Sequence, residues 1–259
     1  SLNLLDTKVT SVAVDRLHEE RPGCRVASLI AHRSGDPDNN GGTLTPTDRA
    51  GSGDDTIANS RQAVEASIAK QFKKPFEELS QTELDQLRTL YLVDDQIVDL
   101  GGAASLVALQ VLILESKGLQ NLEGIEKLSQ LRRLTVRADK QVDDLGPLSQ
   151  LDFLEELSLQ DCRLTDLTPL TRLVRLESLD IRESEVESLE LLESLQSLEK
   201  LWLPQNRVSD LEPLRNLSKL KSLLLMDNPI KVLEPLHGLK SLELLDVRKT
   251  EVSASEVEK

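Results

Sequence analysis

The chain has 259 residues, with 31 Lys and Arg against 45 Asp and Glu, for a formal charge of −14. That balance argues against nucleic acid, whose phosphates need cationic neutralisation. No apolar run approaches the roughly 20 residues of a membrane-spanning helix, no signal-peptide pattern is visible, and two cysteines make no disulfide framework. Leu is the dominant residue, with 53 copies, of which 7 fall in residues 1–83 and 46 in residues 84–259. A bias that strong points to a repeated unit, and its onset sets a boundary near residue 84.

Residues 1–30 hold a surprise. Thr7, Val9 and Val14 line up with Thr250, Val252 and Val257, and Leu2 and Leu4 then fall opposite Leu245 and Val247. The expectation is a partial repeat at each end, as in a piece of a longer tandem array; an independent appendage is the alternative. Residues 31–56 are rich in Gly, Asp, Asn and Thr with a single Leu, which predicts a flexible linker. Within it Asp36, Asp38, Asn40 and Gly41 match the start of a calcium loop, but Thr47 stands where a bidentate Glu belongs. A solvated turn is the better reading.

Residues 57–83 are expected to form a helical cap. Ile57, Val64, Ile68 and Phe72 line one helical face, and Lys73-Lys74-Pro75 ends the helix with cations and a proline. Ser80 and Glu83 are spaced as a capping box for a second short helix. Phe72 and Phe76 read as core plugs.

From Leu84 the pattern L-x-x-L-x-x-L-x-L recurs about every 22 residues, with starts at Leu84, Leu106, Leu128, Leu151, Leu173, Leu195, Leu217 and Leu239. In L-x-L, alternation sends both Leu to one face of a short strand. One repeat cannot bury that face alone, so repeats must stack and share a core. A polar position follows each strand, occupied in turn by Asp95, Lys117, Asp139, Cys162, Ser184, Asn206, Asn228 and Thr250. Asn206 and Asn228 are suited to satisfying turn backbone, and Cys162 to a buried place at the same position. The third copy carries one extra residue between Asp139 and Val142, read as a tolerated insertion. Pro in D-L-x-P-L and L-E-P-L segments suits tight turns on the opposite side.

These residues resemble the leucine-rich-repeat family, in particular the 22-residue class of bacterial internalins. The resemblance covers residues 84–259 and extends to about residue 57. It implies an α/β fold: a right-handed solenoid with a concave parallel sheet, short convex 3-10 or turn segments and a helical N-terminal cap. Residues 1–30, with Pro22-Gly-Cys24-Arg-Val26, resemble the terminal repeat of planctomycete-type leucine-rich proteins.

No catalytic or metal-binding constellation emerges. His18, His32 and His237 are scattered, no H-E-x-x-H or paired C-x-x-C occurs, and Gly51-Ser-Gly53 lacks the Lys of a phosphate loop. The sequon at Asn216 falls at a repeat boundary and reads as coincidence. No cofactor is expected.

What remains is a surface. The x of L-x-L points away from the core, giving a lane of Tyr91, Ile113, Thr135, Ser158, Asp180, Trp202, Leu224 and Asp246. The only Tyr and the only Trp both fall in it. With the flanking lanes, one apolar cluster is Tyr91, Val93, Val111 and Ile113, and another is Trp202, Pro204, Leu224, Met226 and Leu244. A mixed strip with Arg133, Arg137, Asp180 and Arg182 lies between them, and Arg248 beyond. Exposed apolar patches mark contacts, and Trp and Arg are common hot spots. Burying a Trp of about 200 Å² at about 25 cal/mol/Å² is worth at most about 5 kcal/mol before ordering costs. The expected function is non-enzymatic binding of a protein partner on this face, with no nucleic acid and no membrane insertion. Self-association and internal cover by residues 1–30 stay open, as does a regulatory or scaffolding role within a larger multi-domain protein. Adhesion of the internalin kind is a weaker reading, because fold alone does not give function.

Overall fold

The computed structural model describes Leu2–Asn3 and residues 53–253. The linker, the calcium-like loop and Cys24 lie outside the described residues. Helix α1 (Gly53–Phe72) leads through a 3-10 turn (Phe76–Glu78) to the short helix α2 (Gln81–Leu84). With β1 taken as Leu2–Asn3, the strands that follow are β2 (Thr89–Val93), β3 (Val111–Glu115), β4 (Arg133–Arg137), β5 (Glu156–Gln160), β6 (Ser178–Arg182), β7 (Lys200–Trp202), β8 (Ser222–Leu224) and β9 (Leu244–Asp246). They form a single parallel sheet in the order β1-β9-β8-β7-β6-β5-β4-β3-β2.

The register follows the repeat. Leu90 pairs with Leu112, Leu112 with Leu134 and Leu201 with Leu223, each 22 residues on. Between β4 and β5 the step is 23, since Leu134 pairs with Leu157, and the extra residue is absorbed in the turn near Lys140 without disturbing the pairing. Both Leu of each L-x-L are buried: Leu201 and Leu203 are at 0% exposure, as are Leu112 and Leu114. One continuous apolar core runs from Ala63 to Val252. Short 3-10 segments return the chain on the far side, several with Pro in their first turn, as in Thr168–Arg172 and Glu212–Leu214. Strands about 4.8 Å apart pack more closely than those bulkier returns, which puts the sheet on the inside of the arc. β7, β8 and β9 are three residues each, and after β7 the equivalent of Arg182 is Pro204, which has no N–H for a ladder.

The N-terminal end of the core is covered by α1. Ala63, Val64 and Ile68 are buried, and Phe72 and Phe76 pack against the core. Ile57 is not part of this face: it is 57% exposed, because α1 begins ahead of it and its contact surface starts at Ser60. The Ser60 hydroxyl accepts from Val98 N at 3.1 Å, fixing the helix to the first turn. Gly102 permits the approach, since a Cβ there would lie 3.0 Å from Val64 Cβ. Ser80 and Glu83 form the expected capping box.

After β3, β6, β7 and β8 a buried polar side chain stitches one repeat to the one before it. Asn206 Oδ1 accepts from Ser184 N at 3.3 Å and Val186 N at 3.0 Å, while its Nδ2 donates to Ile181 O at 2.8 Å. Asn228 repeats this one unit later, accepting from Val208 N at 2.9 Å and donating to Leu203 O at 2.7 Å. Ser184 Oγ accepts from Cys162 N, and Cys162 is wholly buried. Three expected members of the series, Asp95, Lys117 and Asp139, are exposed. Beside the last two, Ser116 and Ala138 take the buried places, and Ser116 Oγ donates to Ile97 O at 2.8 Å. A lysine cannot be buried there without a partner, so the turn shifts by one residue to present the hydroxyl. Among the described residues no buried side-chain nitrogen or oxygen lacks a partner.

A second regularity was not anticipated. Asp161, Glu183, Gln205, Asp227 and Lys249 all have φ between 53° and 57°, one per repeat, immediately before the ladder position. Each left-handed non-glycine costs about 1–2 kcal/mol. The hydrogen bonds of the following residue hold it there.

Two outcomes are expected. Asn206→Ala should lower unfolding stability by about 2–4 kcal/mol, since several buried backbone groups lose their partner, while Lys117→Ala should change it by less than about 0.5 kcal/mol; urea titration of both variants checks this. Burial and the neighbouring Asp161 push the Cys162 thiol from 9.0 up to about 12. The unfolded thiol therefore ionises first, and the stability it contributes is intact below pH 9 and lost as pH rises to about 12. Over that window, stability in the Cys162→Ala variant should fall less steeply than in the natural chain.

Candidate functional site

The sheet's open face carries the side chains that the strands turn away from the core. The pairing Tyr91↔Ile113↔Thr135↔Ser158↔Asp180↔Trp202↔Leu224↔Asp246 places all eight residues of the expected lane in one line. Tyr91 and Val93 at its N-terminal end are 58% and 67% exposed, beside half-buried Val111 and Ile113. At the other end Trp202, Leu224, Met226 and Leu244 are half-buried, and Pro204 is buried. Away from this face, large exposed apolar residues such as Val107, Val174, Leu191 and Val232 stand on separate turns. Single exposed residues of that kind need no explanation; a contiguous cluster does.

Trp202 is held rather than loosely placed. Its indole Nε1 donates to Ser222 Oγ at 3.0 Å, across to β8. The Arg182 guanidinium sits 5.6 Å from the ring centroid, within cation–π range. Arg182 is itself aligned by Asp180, with Nε 2.7 and 2.9 Å from the two carboxylate oxygens. That hydrogen bond raises the Arg182 pKa above its ordinary value. β9 builds the same device: Arg248 Nη2 donates to Asp246 Oδ2 at 2.7 Å and approaches Met226 Sδ at 3.8 Å. The apolar cluster is thus flanked on each side by a D-x-R ion pair.

The other arginines are also engaged. Arg133 lies 3.3 Å from Glu156, and Arg137 lies 3.6 Å from Glu115 and 3.8 Å from Asp161. Arg133, Arg137, Arg182 and Arg248, which the sequence sets in or beside a strip of mixed charge, all meet carboxylates. Asp180 and Asp246, both in the expected lane, supply two of these carboxylates, and Ser222, two residues before Leu224, orients the Trp. Two of these pairs follow from the sequence pattern, because residues two apart on a strand share a face and both strands read D-x-R.

A groove of about 380 Å³ runs along this face, from Tyr91 and Ile113 past Thr135 and Ser158 to Asp180 and Trp202. It connects the two apolar clusters over a polar floor. No group of three or more metal-ligating side chains occurs among the described residues, and none of their helices is long and apolar enough to cross a membrane.

No family profile and no curated protein matches the chain. Solved structures do. Internalin C2 of Listeria monocytogenes is 25% identical, over 71% of this chain and 91% of that one, with a TM-score of 0.59. InlP of Listeria monocytogenes reaches the same TM-score at 17% identity, over 76% of this chain and 59% of that one. The plant peptide hormone receptor RGFR1, solved in complex with RGF2, is 21% identical over 65% of this chain and 29% of its own, with a TM-score of 0.51. The chain is therefore an internalin-like leucine-rich-repeat protein with the corresponding α/β solenoid fold.

Removing the guanidinium should loosen the Trp202 setting. Arg182→Ala is expected to raise acrylamide quenching of the single tryptophan. It should also lower stability by about 1–2 kcal/mol, because Asp180 is left nearly buried without its partner. Steady-state fluorescence and a urea titration on one sample check both.

Proposed function

We propose that this chain is a non-enzymatic protein-interaction module that takes its partner on the concave face of the sheet. The observation that carries the reading is a groove with Tyr91 and Ile113 at one end and Trp202 at the other, where Leu224, Met226 and Leu244 continue the apolar surface on the neighbouring strands. Between and beside them the four arginines are charge-compensated by carboxylates. Such a strip selects by hydrogen-bond geometry, not by net positive charge. It suits a partner whose apolar side chains seat at the ends and whose polar backbone or side chains lie over the middle.

Trp202 is the expected principal anchor. It is large, half-buried and pre-oriented by Ser222 and Arg182, so little rotamer freedom is lost on binding. The likeness in fold to a plant receptor solved with a peptide hormone supports a ligand-binding use of such a sheet. The overall charge of −14 disfavours acidic partners at long range.

The test uses two baits, the natural chain and its Trp202→Asp/Met226→Asp form, with unchanged circular dichroism as the check on folding. A protein retained by the first should be retained at least 100-fold less by the second, and its binding should shield Trp202 from acrylamide. Equal retention by both would remove the concave anchor. Loss of monomer with rising concentration, in the absence of any other protein, would instead make a second copy of the chain the occupant.

A further inference from the structure

The last strand of a stacked array presents a row of unpaired backbone groups and an open end of Leu core, and both must be covered. At the N-terminal end α1 does this. At the C-terminal end the neighbour of β9 is β1, drawn from the opposite end of the chain. Its pairing is parallel, with Leu2 beside Leu245 and Asn3 beside Asp246.

That register coincides with a second, separate observation. Throughout the solenoid, laterally paired residues are repeat equivalents, as with Leu223 and Leu245. The internal match of the sequence sets Leu2, Thr7 and Val9 against Leu245, Thr250 and Val252. Pairing in space and alignment in sequence therefore share a single offset. A strand that merely stuck to an open edge would have no reason to adopt it, since a slip of one residue would turn its pattern inside out.

We propose that β1 is a permuted ninth repeat strand, supplied in cis, which covers the β9 edge of the sheet. The occupant of the β9 edge is this chain's own N-terminal segment. Chain length permits it. From β9 back to the first repeat strand is about 34 Å at about 4.8 Å per strand. The 49 residues between Asn3 and Gly53 can span well over 100 Å when extended, at about 3.3 Å each. The two ends of the array thus carry different devices: a helix over the core at the first repeat and a borrowed strand on the sheet edge at the last. The inference is independent of what the concave face binds.

Hydrogen–deuterium exchange on the intact chain tests it. In a Leu2→Asp/Asn3→Pro variant, amides of the segment 244–252 should exchange at least tenfold faster than in the natural chain. Those of β2–β6 should be unchanged, which also reports that the solenoid is folded. Protection of that segment in the natural chain should not vary with protein concentration. A Leu2→Cys/Leu245→Cys pair in a Cys24→Ser background should oxidise to a disulfide within the monomer, since in-register neighbours sit at bridging distance. Unchanged exchange in the double variant would overturn the proposal. So would concentration-dependent protection or a disulfide-linked dimer, which would assign the strand to a second copy.

Discussion

Everything in this molecule rests on the inability of one 22-residue unit to hide its own leucines. Each strand exposes two Leu toward an interior that exists only because the next unit supplies the other wall. The consequence is strict lateral register: Leu112, Leu134, Leu157, Leu179, Leu201, Leu223 and Leu245 stand in one line, all buried. Once that line is fixed, the outward residues between the Leu are aligned as well. The candidate interaction face is a by-product of the packing rule, and its composition is free to vary because it contributes little to the core.

Periodicity made the solenoid legible, along with the strand positions, the outward lane and the two apolar clusters. It also singled out Asn206, Asn228 and Cys162 at the buried turn. What it did not resolve was choice between adjacent residues. Lys117 and Asp139 hold the expected place by counting, yet burial of an ionised group without a partner is costlier than a one-residue shift, so Ser116 and Ala138 go in instead. Ile57 failed for a related reason. A helical spacing identifies a face, but the width of the surface it meets is set by the neighbouring turn, where Val98 meets the helix at Ser60.

The electrostatics of the face were the least visible part. Counting sets Asp180 in one strip with Arg133, Arg137 and Arg182, but which carboxylate each arginine meets depends on the assembled sheet. In the assembled sheet each of the four finds a carboxylate, from its own strand for Arg182 and Arg248 and from strands or turns alongside for Arg133 and Arg137. The exposed pairs of Arg133 and Arg137 add little stability, typically below about 1 kcal/mol, whereas the carboxylates of Asp180 and Asp246 are buried. Their effect is on recognition, because a guanidinium already held by Asp180 presents a fixed plane against Trp202.

The ladder of buried polar side chains has a direction. Asn228 serves the backbone around Leu203 and Val208, Asn206 serves Ile181, Ser184 and Val186, and Ser184 serves Cys162. Every one of these bonds points back to the unit synthesised earlier. During translation, then, a turn keeps orphaned donors and acceptors until the following 22 residues have left the ribosome, about 1–4 s later at ordinary elongation rates. Growth from the N-terminus is a series of provisional repeats, each made permanent by its successor.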